Sequence, residues 1–255
     1  TLIYTSGTTG NPKGAMLSHN NLIANIKSGK KSIHVDENDV FLSFLPLSHV
    51  FERMVGHFSG FTSGGRVYYA ESIDTVADNM GEIKPTIMAS VPRLYEKMYV
   101  KILDKVSNDP PLRQKIFWWA ISVGKEAMPY ICKNSRPSGW LGFKFGLAEK
   151  LVFSKIKERV GGRLRFFVSG GAPLSQEIAE FFAAANIIIL EGYGLTETSP
   201  VITNNRLEDV KFGTVGKPIN GVEVKIAEDG EIICRGENVM LGYYNNEAAT
   251  REAID

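Results

Sequence analysis

Leu164-Arg165-Phe166-Phe167-Val168-Ser169-Gly170-Gly171-Ala172-Pro173-Leu174-Ser175-Gln176-Glu177-Ile178-Ala179-Glu180-Phe181-Phe182-Ala183-Ala184-Ala185-Asn186-Ile187-Ile188-Ile189-Leu190 reads as strand, turn, helix and strand in unbroken succession. Residues 164–169 form the first strand, and Gly170-Gly171-Ala172-Pro173 the turn that ends it. Ser175 can cap a helix over residues 176–185, with Glu177 in the first turn complementing the helix dipole. Residues 187–190 are a second strand of the buried type. Strands alternating with helices predict an α/β domain with a mostly parallel sheet.

Working outward, the alternation continues. Leu2-Ile3-Tyr4 reads as the end of a short buried strand, followed by a Gly/Thr/Ser loop over residues 6–14. Ser18 is placed to cap a helix reaching about residue 27. Residues 40–45 read as a strand stopped by Pro46, and residues 66–69 and 86–88 as two more. Pro92 suits a first helical turn. Leu94, Met98, Ile102 and Val106 then recur at fourfold spacing on one helix face. Asn108-Asp109-Pro110-Pro111 breaks that helix. An aromatic-rich helix is expected over residues 112–128, and another over residues 146–160 with Leu147, Leu151 and Ile156 apolar. The style changes after about residue 205. Val222, Val224 and Ile226 alternate with Glu223 and Lys225, Asp229-Gly230 is a tight-turn pair, and Glu231-Ile232-Ile233-Cys234 returns, which is antiparallel β structure.

Composition narrows the classes. Twenty-nine Lys and Arg face 28 Asp and Glu in 255 residues, a formal net charge of +1, so no global charge draws the chain to nucleic acid. Cys132 and Cys234 stand apart, with no CxxC or Cys/His cluster, and read as reduced thiols of a cytosolic protein rather than zinc ligands. The longest apolar run, residues 181–190, is interrupted by Asn186 and falls short of the ~20 residues of a membrane span. The N-terminus has no basic n-region or cleavage site. The chain starts on a strand without an initiator methionine and stops inside an apparent helix, so it is expected to be a piece of a longer protein. Lys144, Lys150, Lys155, Lys157, Arg159, Arg163 and Arg165 are interleaved with Trp140, Phe143, Phe145 and Phe153. Such a segment can lie peripherally on an anionic membrane, or be a solvated helix face packed on the core.

Three strings carry the chemistry. In Thr5-Ser6-Gly7-Thr8-Thr9-Gly10-Asn11-Pro12-Lys13-Gly14, glycines let backbone approach an anion closely, hydroxyls and amides supply donors, and Lys13 adds positive charge. Pro12 stands where a Walker lysine would be, so this is a phosphate loop of another kind. Glu191-Gly192-Tyr193-Gly194-Leu195-Thr196-Glu197-Thr198 follows a strand, where open α/β sheets bind ligands. There an aromatic beside glycines can stack on a purine, and Glu197 is a hard oxygen ligand suited to Mg²⁺. Ser169-Gly170-Gly171-Ala172-Pro173-Leu174 would let backbone lie flat against a planar ring, though any tight strand-to-helix turn looks similar.

Together these strings resemble the adenylate-forming superfamily of acyl-CoA synthetases, luciferases and peptide-synthetase adenylation domains. Gly213-Thr214-Val215-Gly216-Lys217-Pro218 and Gly236-Glu237-Asn238-Val239-Met240-Leu241-Gly242-Tyr243-Tyr244 resemble later family segments, so the likeness spans residues 4–245. Leu45-Pro46-Leu47-Ser48-His49-Val50-Phe51-Glu52-Arg53, the segment 153–167 and the long helical stretch 92–150 are similar to the long-chain fatty acid–CoA ligase branch. The resemblance implies a layered αβαβα arrangement over residues 1–205, with the start of a small antiparallel β-barrel subdomain over residues 206–255. It implies that ATP, Mg²⁺ and a fatty acid give acyl-adenylate and pyrophosphate, and that the thiol of coenzyme A then takes the acyl group and releases AMP.

By the same resemblance, Thr5 and Glu197 hold Mg²⁺, and Ser6, Gly7, Thr8, Thr9, Gly10 and Lys13 enclose the β,γ-phosphates. Gly171, Ala172, Glu191, Gly192 and Tyr193 line the adenine side, and Thr196 reaches the α-phosphate. Thr196, Glu197 and Lys13 are the expected catalytic residues. His49, Val50, Phe51 and Gly192 are the expected acyl-site residues. The family's ribose-binding Thr-Gly-Asp motif, hinge and C-terminal lid are not in the sequence, so this chain alone is expected to bind ATP weakly and turn over little or not at all. A fatty acyl-AMP ligase, another carboxylate adenylator and a non-catalytic nucleotide-binding module are the competing readings.

Overall fold

A computed structural model describes residues 1–5 and 11–254. Strands β1 (Leu2–Thr5) and β2 (Lys13–Met16) pair antiparallel, with Thr5 opposite Lys13. Lys13 and Gly14, expected in the loop, therefore belong to a strand. The Tyr4 ring lies over Gly14, where an added Cβ would come within 3.2 Å of it. Ser18 caps α1 (His19–Ser32) through a reciprocal box: its hydroxyl accepts the Asn21 N–H at 3.1 Å, and Asn21 Oδ1 accepts the Ser18 N–H at 2.8 Å. The helix runs past the expected residue 27, since nothing breaks it before Ile33 and Lys30 and Lys31 suit its last turn.

The central sheet has seven strands: β3 (Val40–Ser43), β4 (Arg66–Tyr69), β5 (Ile87–Ser90), β6 (Phe166–Ser169), β7 (Ile189–Gly194), β8 (Val201–Asn204) and β9 (Lys217–Pro218). They lie in the order β4-β3-β5-β6-β7-β8-β9. The first five are mutually parallel, and β8 and β9 add antiparallel pairs at one edge. The fold is α/β with a mostly parallel sheet, as expected. Small antiparallel sheets accompany it: the β1–β2 hairpin, and a hairpin of β10 (Val222–Ile226) and β11 (Ile232–Gly236) whose turn contains Gly230 at φ +90°.

Helices follow the strands: α2 (Ser59–Thr62), which continues a π-helical run Glu52–Phe58, then α3 (Val76–Ile83), α4 (Pro92–Ser107) and α5 (Pro111–Ile131). Next come α6 (Gly139–Ala148) and α7 (Ser154–Glu158), joined by a π-helical turn Glu149–Phe153, then α8 (Gln176–Ala184) and α9 (Glu247–Ala253). Pro92 opens α4, and Leu94, Met98, Ile102 and Val106 all pack on the core, as their spacing predicts. The helical stretch begins at Gly139 rather than residue 146. Within it Leu147 and Leu151 are exposed while Phe145, Phe153 and Ile156 are buried. Ser175 occupies the cap position of α8 without a side-chain bond, and Asn186 ends the stretch at φ +58°.

Period-two alternation gives the sheet two different faces. Phe167 packs edge-on against Tyr95 of α4, centroids 5.3 Å apart, and Tyr95 packs against Phe182 of α8 at 6.5 Å. On the other face Phe41, Ile87, Phe166 and Val168 look across a cavity toward α1 and the 52–58 segment. At the N-terminal ends of β3, β5 and β6, Arg165 Nη1 grips both oxygens of buried Asp39 at 2.7 and 2.6 Å. Thr86 Oγ1 donates to Asp39 Oδ1 at 2.6 Å. The three residues immediately preceding three parallel strands are thus tied together.

Candidate active site

The opposite, C-terminal edge of the sheet opens into a cavity of about 710 Å³. Its mouth carries Thr5, Lys13, His49, Thr196, Glu197 and Tyr243, and its body is walled by residues such as Ile33, Val35, Phe41, Met54, Ile87 and Phe166. Of the residues expected from the sequence, Thr5, Lys13, His49, Val50, Phe51, Gly171, Gly192, Tyr193, Thr196 and Glu197 all line this one cavity. Ser6, Gly7, Thr8, Thr9 and Gly10 lie outside the described residues. Ala172 is exposed next to the cavity, and Glu191 is buried beside it rather than lining it. Burial raises the Glu191 carboxyl above its usual range, and a hydrogen bond with the Leu174 backbone pulls the other way.

The glycines of the Glu191–Gly194 string serve close approach more than turning. Residues 191–194 are strand, continuous with β7 and paired to β8, rather than a loop beyond the strand. A Cβ on Gly192 would lie 3.1 Å from the Thr203 carbonyl, and one on Gly194 only 1.9 Å from that of Pro200. The string then ends in a short 3₁₀ turn, Thr196–Thr198, which presents Thr196 and Glu197 to the cavity.

That turn is pinned from behind by buried asparagines. Asn25 Nδ2 donates to the carbonyls of Thr198 and Val201 at 3.3 and 2.8 Å, and Asn238 Nδ2 to the same two at 2.9 and 3.4 Å. Asn21 Nδ2 holds the carbonyls of Glu237 and Val239 at 2.7 and 2.8 Å. Residues 240–244 then lie alongside β2: Met16 N–H donates to Gly242 at 2.9 Å and Tyr244 N–H to Gly14 at 2.8 Å.

This pairing delivers Tyr243 to the mouth. Its hydroxyl donates to Glu197 Oε1 at 2.5 Å, and Lys13 Nζ sits 5.0 Å from its ring centroid. Burial, then the Glu197 carboxylate, push the phenol above its ordinary range, so it stays a donor. Sequence reasoning missed Tyr243 as a site residue. The available signal was its place in the 236–244 string. It also missed Asn21 and Asn25, polar positions on the helix face that carries buried Leu22.

Between the lining residues Phe51 and Met54 in the chain, Glu52 is fully buried and neither carboxylate oxygen has a hydrogen-bond partner. Burial raises its pKa to about 7, with the nearby Ser43 hydroxyl opposing the shift. Among the described residues no group of three His, Cys, Asp or Glu could hold a metal ion by itself. No described helix is long and apolar enough to cross a membrane.

A mostly parallel sheet with a charged, glycine-lined mouth at its C-terminal edge is an open α/β architecture, and the chain belongs to the AMP-binding enzyme family, whose model matches residues 1–244. Over its whole length the chain is 39% identical to the long-chain-fatty-acid–CoA ligase FadD15 of Mycobacterium bovis, covering 42% of it. It is 37% identical to the peroxisomal long chain acyl-CoA synthetase 6 of Arabidopsis thaliana, covering 37% of that protein. The chain thus spans about two-fifths of the length of these curated relatives. Among solved structures, a malonyl-CoA ligase with methylmalonyl-CoA and AMP bound is similar at TM-score 0.68 and 25% identity, over all of this chain and 47% of that one. The N-terminal domain of FACL13 from Mycobacterium tuberculosis shares the fold at TM-score 0.69 and 23% identity, over all of this chain and 54% of that one.

Proposed function

We propose that the protein carrying this chain activates long-chain fatty acids with ATP and Mg²⁺ and passes the acyl group to coenzyme A. The observation that carries the reading is the cavity's division: charged and hydroxyl groups at the mouth, a mainly apolar body running beneath the sheet. A carboxylate with a long alkyl tail matches both parts. The polar end suits a polyphosphate and the apolar end removes hydrocarbon from water.

In this reading Lys13 and residues 6–10 receive the β,γ-phosphates and Thr196 the α-phosphate. Gly171, Ala172, Gly192 and Tyr193 face adenine, with Glu191 buried beside them. His49, Val50, Phe51 and Gly192 border the reacting carboxylate. Two anions must meet, so positioning and charge neutralisation carry the first step. The residues fit Mg²⁺: Thr5 and Glu197 are hard oxygen donors on one cavity wall, and Mg²⁺ characteristically combines one or two protein oxygens with substrate phosphates. When bound, the ion offsets negative charge on the phosphates. Residues 1–205 form the nucleotide and acyl-binding part, and residues 206–255 part of a β-rich subdomain. A lid supplied elsewhere in the protein would complete the site, and the isolated chain would then turn over little.

ATP–pyrophosphate exchange by the full-length protein across a panel of carboxylic acids tests this. Exchange with long-chain acids is expected, and exchange confined to short or aromatic acids would refute it. Supplying coenzyme A against a carrier protein as acceptor separates the ligase from an acyl-AMP ligase.

We further propose a cytosolic protein with a peripheral membrane contact at α6. There Trp140 and Phe143 stack at 5.4 Å while 73% and 63% exposed, and exposed Lys150, Lys155, Arg159 and Arg163 follow. Phe145 and Phe153 are core, and Lys144, Lys157 and Arg165 are engaged by Glu126, Glu149 and Asp39, so the patch is smaller than the sequence implied. Co-sedimentation with anionic but not neutral liposomes is the expected result, and equal sedimentation with both removes the contact.

A further inference from the structure

Glycine is the least favourable residue for a helix after proline, so Gly29, in the last turn of α1, needs a reason. Five glycines line the cavity: Gly29, Gly170, Gly171, Gly192 and Gly194. Four are explained by close contacts or by their own backbone conformation. An added Cβ would meet Phe51 at 2.9 Å from Gly170, Thr203 at 3.1 Å from Gly192 and Pro200 at 1.9 Å from Gly194, and Gly171 has φ +82°. Gly29 has neither feature. Its φ is helical, and a Cβ there would meet nothing within 4 Å. Packing does not demand glycine at this position; what glycine leaves there is open space on the cavity wall.

The position of that space is informative. Asn25, Ile26, Gly29, Lys30 and Ile33 form the cavity-facing stripe along α1 and its C-terminal cap at helical spacing, with the Lys30 ammonium donating to the Thr62 carbonyl at 3.1 Å. Asn25 is at the mouth, where it holds the turn behind Thr196 and Glu197. Ile33 is at the apolar end with Val35 and Phe41. At 1.5 Å per residue, Asn25 to Ile33 is about 12 Å and Gly29 stands about 6 Å along it. The opposite wall agrees, since Gly170, Val168 and Phe166 line the cavity in succession and span about 13 Å of β6. A tail entering from the mouth must pass Gly29 midway.

We infer that Gly29 sets how long an acyl chain the cavity admits, by leaving unobstructed the half of the cavity that lies beyond it. The inference rests on the fatty-acid reading above and adds a specificity-determining residue to it. A branched side chain at residue 29 projects into the passage and shortens it, with the helix itself favoured by the change.

The test is the ratio of kcat/KM for long over short saturated acids in the full-length protein, compared among wild type, Gly29→Ala, Gly29→Leu and Gly146→Leu. Gly146 is also a helical glycine with nothing within 4 Å of an added Cβ, but it lies on α6 outside the cavity. The ratio is expected to fall stepwise from wild type through Gly29→Ala to Gly29→Leu, roughly tenfold or more in the last, and to stay at the wild-type value in Gly146→Leu. Displacement of a fluorescent fatty acid by acids of stepped length gives the same order as a binding measurement, and melting curves establish that each variant is folded. An unchanged ratio in folded Gly29→Leu overturns the assignment of Gly29 and leaves the fatty-acid reading intact. A wild type that activates no fatty acid of any length overturns that reading and the inference with it.

Discussion

Two side chains at the site do work that their neighbours make legible. Tyr243 serves Glu197 with its hydroxyl and Lys13 with its ring. Tyr243→Phe removes the first and keeps the second. A hydrogen bond to a charged acceptor contributes roughly 1.5–3 kcal/mol when buried, and less at this partly open mouth. Tyr243→Phe is therefore expected to lower stability by about 1 kcal/mol in urea titrations and to reduce kcat, because Glu197 loses its fixed orientation. Tyr243→Leu should cost a further 0.5–1 kcal/mol or so through the lost cation–π contact. Equal kcat in wild type and Tyr243→Phe would detach Glu197's orientation from catalysis. Glu52 is a different case, a carboxyl buried without partners and raised to about 7 from about 4.5. Because the folded pKa is the higher one, its contribution to stability is present below about pH 4.5 and is lost as pH rises through about 7. That shift corresponds to roughly 3 kcal/mol. Glu52→Gln, which cannot ionise, should therefore gain on wild type between pH 5 and pH 8, read from denaturation midpoints. A difference that does not change with pH would sink this account. Gly56 belongs to the same arrangement, since a Cβ there would come within 2.2 Å of Glu52 Oε1.

Among elements, α1 ties several parts of the site together. Its cap, its asparagines and its cavity stripe join β2, the 196–198 turn, the 236–240 segment and the sheet. Asn25 and Asn238 donate to the same two carbonyls. Loss of either leaves buried acceptors short of partners, at about 1–3 kcal/mol each. Asn25→Ala and Asn238→Ala should each destabilise by about 2 kcal/mol, and the double variant should depart from additivity because the two share acceptors. Strict additivity would show that they act separately. The sequence made much of this architecture legible. Residues 164–190 gave strand, turn, helix and strand in the right places because their apolar periodicity agrees with their burial. The fourfold spacing of Leu94 to Val106 worked for the same reason. The reach of β7 to Gly194 was not legible, since glycines are poor strand formers and their pairing depends on β8 arriving from elsewhere. Tyr243 and Asn25 were hidden likewise, because contacts with residues distant in the chain leave no local period. Exposed Leu147 and Leu151 misled the helix reading, since spacing alone does not say which side of a helix meets the core.

At the scale of the molecule, the sheet separates function from anchorage. Its C-terminal edge carries the mouth, with Gly170, Gly192 and Thr196. Its N-terminal edge carries the Asp39–Thr86–Arg165 network at the starts of β3, β5 and β6. Strands of four residues put roughly 10 Å between the edges. Sites this far apart without shared partners are usually independent. Arg165→Met leaves Asp39 buried and uncompensated, and removing one partner of a buried pair costs about 3–5 kcal/mol. Arg165 is itself 34% exposed, so water offsets part of that and about 2–3 kcal/mol is expected. Asp39→Asn with Arg165→Met removes the stranded charge and should recover part of the loss. In both variants the affinity for a nucleotide, measured well below the melting temperature, should match wild type. Loss of nucleotide affinity in parallel with stability would show that the two edges are coupled and that the sheet transmits strain between them.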